Sequence, residues 1–139
     1  MERTDITQEK VRRKPNNMFT VPTNTTDFFK RWCTFLKPFV NLTNKEIDVI
    51  ASFLYQRYEL SKLIPDPTML DTMLMSNPIK QKVMEQCNIT QPHFYVIMSN
   101  FRKNKIIVNN VINPKLVPNI RPTDDGAFQL LIVFKNTNA

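Results

Sequence analysis

Residues 88–108 read NITQPHFYVIMSNFRKNKIIV, and two periodicities meet inside them. Phe94, Ile97, Met98 and Phe101 fall at i, i+3, i+4 and i+7, the spacing of a helix that buries one face. Thr90 is placed to cap that helix, with Pro92 in its first turn. Arg102-Lys103-Asn104-Lys105 closes it, where cations suit the negative end of the helix dipole. Ile106 to Val108 is β-branched and reads as a strand. The segment therefore predicts a helix over 91–103 running into a strand, with Gln91, His93, Tyr95, Ser99, Asn100 and Arg102 outward.

Working back from it, Asn77-Pro78 opens a short helix over 78–87 with Ile79, Val83 and Met84 inward. The turn between the two helices runs through Cys87-Asn88-Ile89-Thr90. Asp66-Pro67 gives another helix start, followed by the methionine-rich TMLDTMLMS, whose soft side chains suit irregular gaps in a core. Thr43-Asn44-Lys45-Glu46 fits a capping box. The helix after it carries Ile47, Ile50, Ala51, Leu54 and Tyr58 on one face, widened by Val49 and Phe53. It is expected to run to about Leu63, with Pro65 stopping it. Upstream, TDFFKRWCTFLKPF sets Phe28, Phe29, Trp32, Cys33, Phe35, Leu36 and Phe39 at spacings of three and four. This aromatic face is read first as core, because large aromatics dominate burial energetics, and second as a surface for a second copy of the chain. Pro38 ends the helix.

Residues 1–24 show no hydrophobic period and carry the basic cluster KVRRK, Lys10 to Lys14. They form a polar arm that either follows a nucleic-acid backbone, clasps a neighbouring subunit, or stays a tail. Residues 25–139 are expected to form a single helical domain. At the other end FQLLIVF, Phe128 to Phe134, follows the Asp125-Gly126 turn signal and reads as a second strand, the expected partner of Ile106–Val108.

Composition narrows the function classes. The 139 residues are 42% hydrophobic and 22% charged, the balance of one ordinary globular domain. No apolar run reaches the roughly 20 residues that span a bilayer, so no membrane partner is expected. The polar N-terminus does not read as a secretory signal, and a cytoplasmic location is expected. Cys33 and Cys87 lack CxxC spacing and are expected as free thiols, and with His93 as the lone histidine no metal site or cofactor is expected. The one glycine, Gly126, rules out GxGxxG, GxxxxGK[ST] and GxSxG, so an enzyme is not expected. The net charge of +7 invites a nucleic-acid reading. However, one glycine and three alanines beside abundant Asn, Lys, Ile and Phe are the mark of A/T-rich codons, which raise lysine in any protein. Placement is more informative than total: residues 80–121 hold Lys80, Lys82, Arg102, Lys103, Lys105, Lys115 and Arg121 against Glu85 alone, six of the net +7.

The order helix, helix, helix, short helix, tight turn, helix, strand, loop, strand over about residues 43–135 resembles a winged helix-turn-helix domain. Ile112-Asn113-Pro114-Lys115-Leu116 also resembles a segment of small phage and plasmid regulatory or replication proteins. The resemblance implies a mainly α fold with a small β-hairpin (α+β), preceded here by the aromatic-rich helix and the N-terminal arm. It implies double-stranded DNA as partner, with the helix at 91–103 in the major groove. Gln91, His93, Tyr95, Ser99, Asn100 and Arg102 would face bases, with Gln and Asn suited to adenine and Arg to guanine. Lys103 and Lys105 would lie near phosphates, and Lys115 and Arg121 in the wing.

Two departures from that pattern stand. The loop from Asn109 to Ala127 is long for a wing and contains Pro114, Pro118 and Pro122. The outward face of the helix has no cation before Arg102. Three readings follow: a non-enzymatic DNA-binding regulator of transcription or replication, acting as a homo-oligomer; a virion structural or assembly protein contacting other phage proteins; and a packaging-initiation subunit that joins DNA binding to ring formation.

Overall fold

The computed structural model describes residues 21–118, 120–122, 128–129 and 135–138 of the chain. Residues 1–20 of the N-terminal arm, the Asp125-Gly126 turn and residues 130–134 of FQLLIVF lie outside the described residues. The chain is mainly helical: α1 (Thr25–Leu36), α2 (Asn44–Ser61), α3 (Pro67–Leu74), α4 (Asn77–Cys87) and α5 (Gln91–Lys103). Two short antiparallel pairs follow, β1 (Ile107–Val108) with β2 (Val111–Ile112), and β3 (Arg121–Pro122) with β4 (Phe128–Gln129). A 3-10 turn, Pro114–Leu116, separates the pairs. The fold is α+β, and among the described residues β structure is confined to the C-terminal part.

Helix α2 is the axis around which the others pack. Both arms of its capping box form, Glu46 N–H donating to Thr43 Oγ1 at 3.2 Å and Thr43 N–H to Glu46 Oε1 at 2.9 Å. Val49, Ile50, Phe53 and Leu54 are all at most 2% exposed, so α2 is apolar over more than one face and is covered from several sides. α1 covers one side through Phe28, Phe29 and Cys33, with Phe29 in ring contact with Tyr55 and Tyr58. α4 covers another. There Ser52 Oγ donates to Gln86 Oε1, Cys87 Sγ donates to Asp48 O, and Lys45 Nζ donates to Cys87 O at 2.9 Å, taking up one of the orphan carbonyls at the end of α4. An ion pair between Arg57 and Asp71 joins α2 to α3.

α1 is narrower than its aromatic spacing suggests. At about 100° per residue the set from Phe28 to Phe39 spreads around too much of the cylinder for one face. Phe35 and Phe39 are exposed, at 46% and 73%, and Phe39 lies beyond the helix end at Leu36. Trp32 is half-buried, and its Nε1–H donates to Leu116 O at 2.8 Å, tying α1 to the 3-10 turn. Helix starts match Thr43, Asp66 and Thr90, whose side chains each accept a backbone N–H. α4 starts one residue earlier than Asn77-Pro78 implied: Ser76 is the N-cap, its hydroxyl makes no capping bond, and Ser76 Oγ is buried without a partner.

Of the expected partner run Phe128–Phe134, residues 130–134 lie outside the described residues. β1 turns back at once into β2, with Ile107 opposite Ile112 and Val108 opposite Val111, while Phe128–Gln129 pairs with Arg121–Pro122. The reason is local. Asn109 and Asn110 adopt φ of 53° and 63°, and positive φ at both central residues is what a two-residue primed turn requires. Asn tolerates that region through its short polar side chain. The long loop expected from Asn109 thus contains a two-residue hairpin turn.

Candidate functional site

The site is the surface formed by α5, its C-terminal turn and the β1–β2 hairpin. α5 is anchored by Phe94, Ile97, Met98 and Phe101, none more than 3% exposed. Burying each contributes about 1.5–3 kcal/mol. Phe94 meets Phe53 of α2 with ring centroids 6.1 Å apart, and Asn100 Nδ2 donates to Glu46 Oε2 at 3.2 Å. Position 94 therefore lies by 53 and position 100 by 46, so α5 runs antiparallel to α2 with one face inward.

Between α4 and α5 the chain turns at Asn88, which is left-handed with φ 52°. Asn88 N–H donates to Glu85 O and Ile89 N–H to Met84 O, the paired bonds of a Schellman motif. The same motif closes α5. Lys105 N–H donates to Arg102 O at 3.3 Å, Ile106 N–H donates to Phe101 O at 2.8 Å, and Lys105 holds φ 60°. Buried Ile106 and Phe101 provide the apolar contact that accompanies it. Asn113 then locks the hairpin to the helix end, its N–H donating to Ile106 O at 2.8 Å and its Nδ2 to Lys105 O at 3.2 Å. Asn113 Oδ1 also accepts from Lys115 N–H, which fixes the start of the 3-10 turn carrying Lys115. Helix end, hairpin and 3-10 turn are one hydrogen-bonded unit.

On the exposed side, a spacing of about 100° per residue places Pro92, Val96, Ser99 and Lys103 along the crest opposite the buried face. Gln91, Tyr95 and Arg102 flank the crest on one side, and His93 and Asn100 on the other. Gln91, His93, Tyr95, Ser99, Arg102, Lys103, Lys105 and Lys115 are all exposed, so eight of the ten residues singled out from sequence are available to a partner. Asn100 is half-buried and holds Glu46, so it belongs to the packing of α5 rather than to its outer face. Arg121 lies in β3, and its side chain is outside the described residues. Sequence reasoning missed Val96, 58% exposed on the crest, and the hairpin tip Asn109–Asn110. A helical wheel of residues 91–103 contains the signal for Val96.

The electrostatics of this surface are one-sided. Elsewhere three cations are matched, Lys30 with Asp48, Arg57 with Asp71 and Lys62 with Glu59, while Arg31, Lys37, Lys80 and Lys82 meet no carboxylate at ion-pair distance among the described residues. Arg102, Lys103, Lys105 and Lys115 meet no carboxylate at ion-pair distance among the described residues, and α5 contains no Asp or Glu. Both thiols are buried and free. Burial pushes the Cys33 thiol up to about 12; burial and the Asp48 carboxylate raise Cys87, offset in part by Lys45. Among the described residues no helix is long and apolar enough to cross a membrane.

Compared with protein-family models, with curated proteins and with solved structures, the chain gives no match.

Proposed function

We propose that this protein binds double-stranded DNA without catalysis, as a regulator of transcription or replication, with α4, the turn at Asn88 and α5 as a helix-turn-helix and β1–β2 as a short wing. The observation that carries this reading is the group of exposed cations without carboxylate partners among the described residues, Arg102, Lys103 and Lys105, at the end of a helix whose outer crest is free of acid. Phosphate contacts from these residues supply affinity, and the crest of α5 supplies base contacts. Lys115, held by the Asn113 turn beside the hairpin base, extends the cationic edge.

The test is fluorescence anisotropy with a labelled duplex of about 20 base pairs at about 50 mM salt, comparing wild type with Arg102→Gln/Lys103→Gln/Lys105→Gly. Wild type binds and the triple variant binds at least about tenfold more weakly, each lost phosphate contact counting separately. Absence of wild-type binding, or equal binding by both, contradicts the proposal.

A second reading, assembly with other copies or with virion subunits, is favoured by a different observation. Trp32 and Phe35 stack at 6.1 Å, Phe35 and Phe39 follow at 6.0 Å, and the last two are exposed. Single exposed apolar residues need no explanation, whereas a row of aromatics marks a contact surface. Light scattering of wild type and of Phe35→Ser/Phe39→Ser checks it: assembly through this row predicts a fall in mass, and a monomeric wild type rules it out.

A further inference from the structure

We infer that α5 reads A·T-rich duplex in the major groove, with Val96 against thymine methyl groups and Gln91 on adenine. The inference rests on the DNA-binding reading above and names the ligand class of that same surface. When a helix enters the groove, its crest comes nearest the base edges, and here the crest opens with Pro92, Val96 and Ser99 before any cation appears at Lys103. Guanine is read by Arg or Lys on O6 and N7, and cytosine by Asp or Glu on N4–H. Residues 91–101 contain none of the four. What they do present is the complement of an A·T pair. Gln91 carries the paired donor and acceptor that match adenine N6 and N7, and Val96 an exposed branched methyl surface that matches thymine C5. Tyr95, 47% exposed beside Gln91, adds apolar area on the same flank.

The burial pattern supports the assignment independently of residue type. Val96 is 58% exposed on a helix whose other large apolar side chains, Tyr95 apart, are 3% exposed or less. Among the described residues no element covers it, so its apolar surface is available to a ligand. The cations are displaced toward the C-terminal end, at Arg102, Lys103 and Lys105. That separation places phosphate contacts at one end of the helix and neutral base contacts along the rest.

The experiment uses the full chain and three duplexes of equal length: alternating A·T, alternating G·C, and the A·T duplex with uracil in place of every thymine. Uracil keeps the pairing and removes only the C5 methyl. Binding is measured by anisotropy at one salt concentration for wild type, Val96→Ala and Gln91→Ala, with urea unfolding confirming that the variants fold. The A·T duplex is expected to bind wild type at least about tenfold more tightly than G·C, the discrimination of one good bidentate contact or more. The uracil duplex is expected to bind about threefold more weakly than the thymine duplex, the effect of one buried methyl. Val96→Ala is expected to be indifferent to that exchange, and Gln91→Ala to lose most of the A·T preference. Equal affinity for A·T and G·C, with salt-sensitive binding retained, overturns this inference and leaves DNA binding standing. So does an A·T preference that uracil does not change, because Val96 then meets no thymine methyl. Failure to bind any of the three at low salt overturns the DNA-binding reading itself.

Discussion

Lys105 separates stability from binding in a single substitution. It sits in the left-handed region at φ 60°, in the position after a helix where glycine is usual, and it is exposed. Its backbone makes the Schellman bond to Arg102 O and accepts from Asn113, and neither involves the side chain. A side chain with Cβ costs about 1–2 kcal/mol in that region. Glycine removes this cost but adds freedom to the unfolded chain, which takes back about 0.4–1 kcal/mol. The net expectation for Lys105→Gly is a gain of about 0.5–1 kcal/mol. With an m-value near 2 kcal/mol/M, that moves the urea midpoint up by roughly 0.3–0.5 M with m unchanged. Lys105→Ala is the control, because it loses the same charge and keeps Cβ, so its midpoint stays near wild type. Both variants lose one phosphate contact, so the proposed DNA binding weakens in both while stability rises only in one. A glycine variant no more stable than the alanine variant would refute the backbone argument for this turn.

Other consequences are as direct. Glu46→Ala removes the side-chain arm of the capping box, keeps the Thr43 cap on the backbone N–H of residue 46, and leaves the half-buried Asn100 amide without its acceptor, a cost of about 1–3 kcal/mol; a double-mutant cycle with Asn100→Ala gives a coupling of at least about 0.5 kcal/mol, and additive losses would mean the contact contributes nothing. Ser76→Ala is expected to lie within about 0.5 kcal/mol of wild type, because that N-cap hydroxyl makes no bond, whereas Asp66→Ala, which removes a formed cap, costs about 1 kcal/mol; chemical unfolding of the pair reverses the argument if the order is reversed. Cys33, held protonated by a pKa near 12, stays unlabelled by a thiol reagent at pH 8 in the folded protein and reacts in urea, and stoichiometric labelling of the native protein would contradict its burial.

The helices were legible wherever one residue type has one dominant use. Thr43 with Glu46, and Thr90 with Pro92, are local signals, and the Phe94, Ile97, Met98, Phe101 period names the buried face of α5 without reference to any partner. The hairpin was not legible, because its turn is Asn109-Asn110 rather than Asn-Gly. A chain with one glycine places asparagine or lysine at left-handed positions, at 88, 105, 109 and 110, and the usual glycine markers vanish. Val111–Ile112, the partner that this turn brings to Ile107–Val108, therefore went unread. Asn100 failed for another reason. Polarity and an outward-leaning position made it a candidate contact, but its partner Glu46 lies 54 positions away, and only the packed structure brings them together. Val96 was passed over because an apolar residue draws no attention on a polar face, although its angular position makes it the crest.

The most direct test of the central claim is the salt dependence of binding to random-sequence duplex between about 50 and 200 mM. Neutralising three phosphates with Arg102, Lys103 and Lys105 gives a slope of log K on log salt of about −2.7, a loss of roughly 40-fold over that range, and further cations such as Lys115 steepen it. Wild type should show at least that slope, and the Arg102→Gln/Lys103→Gln/Lys105→Gly variant should lose about 2.7 from it. Salt-independent binding, or a slope the variant leaves intact, would contradict the assignment of this surface to DNA.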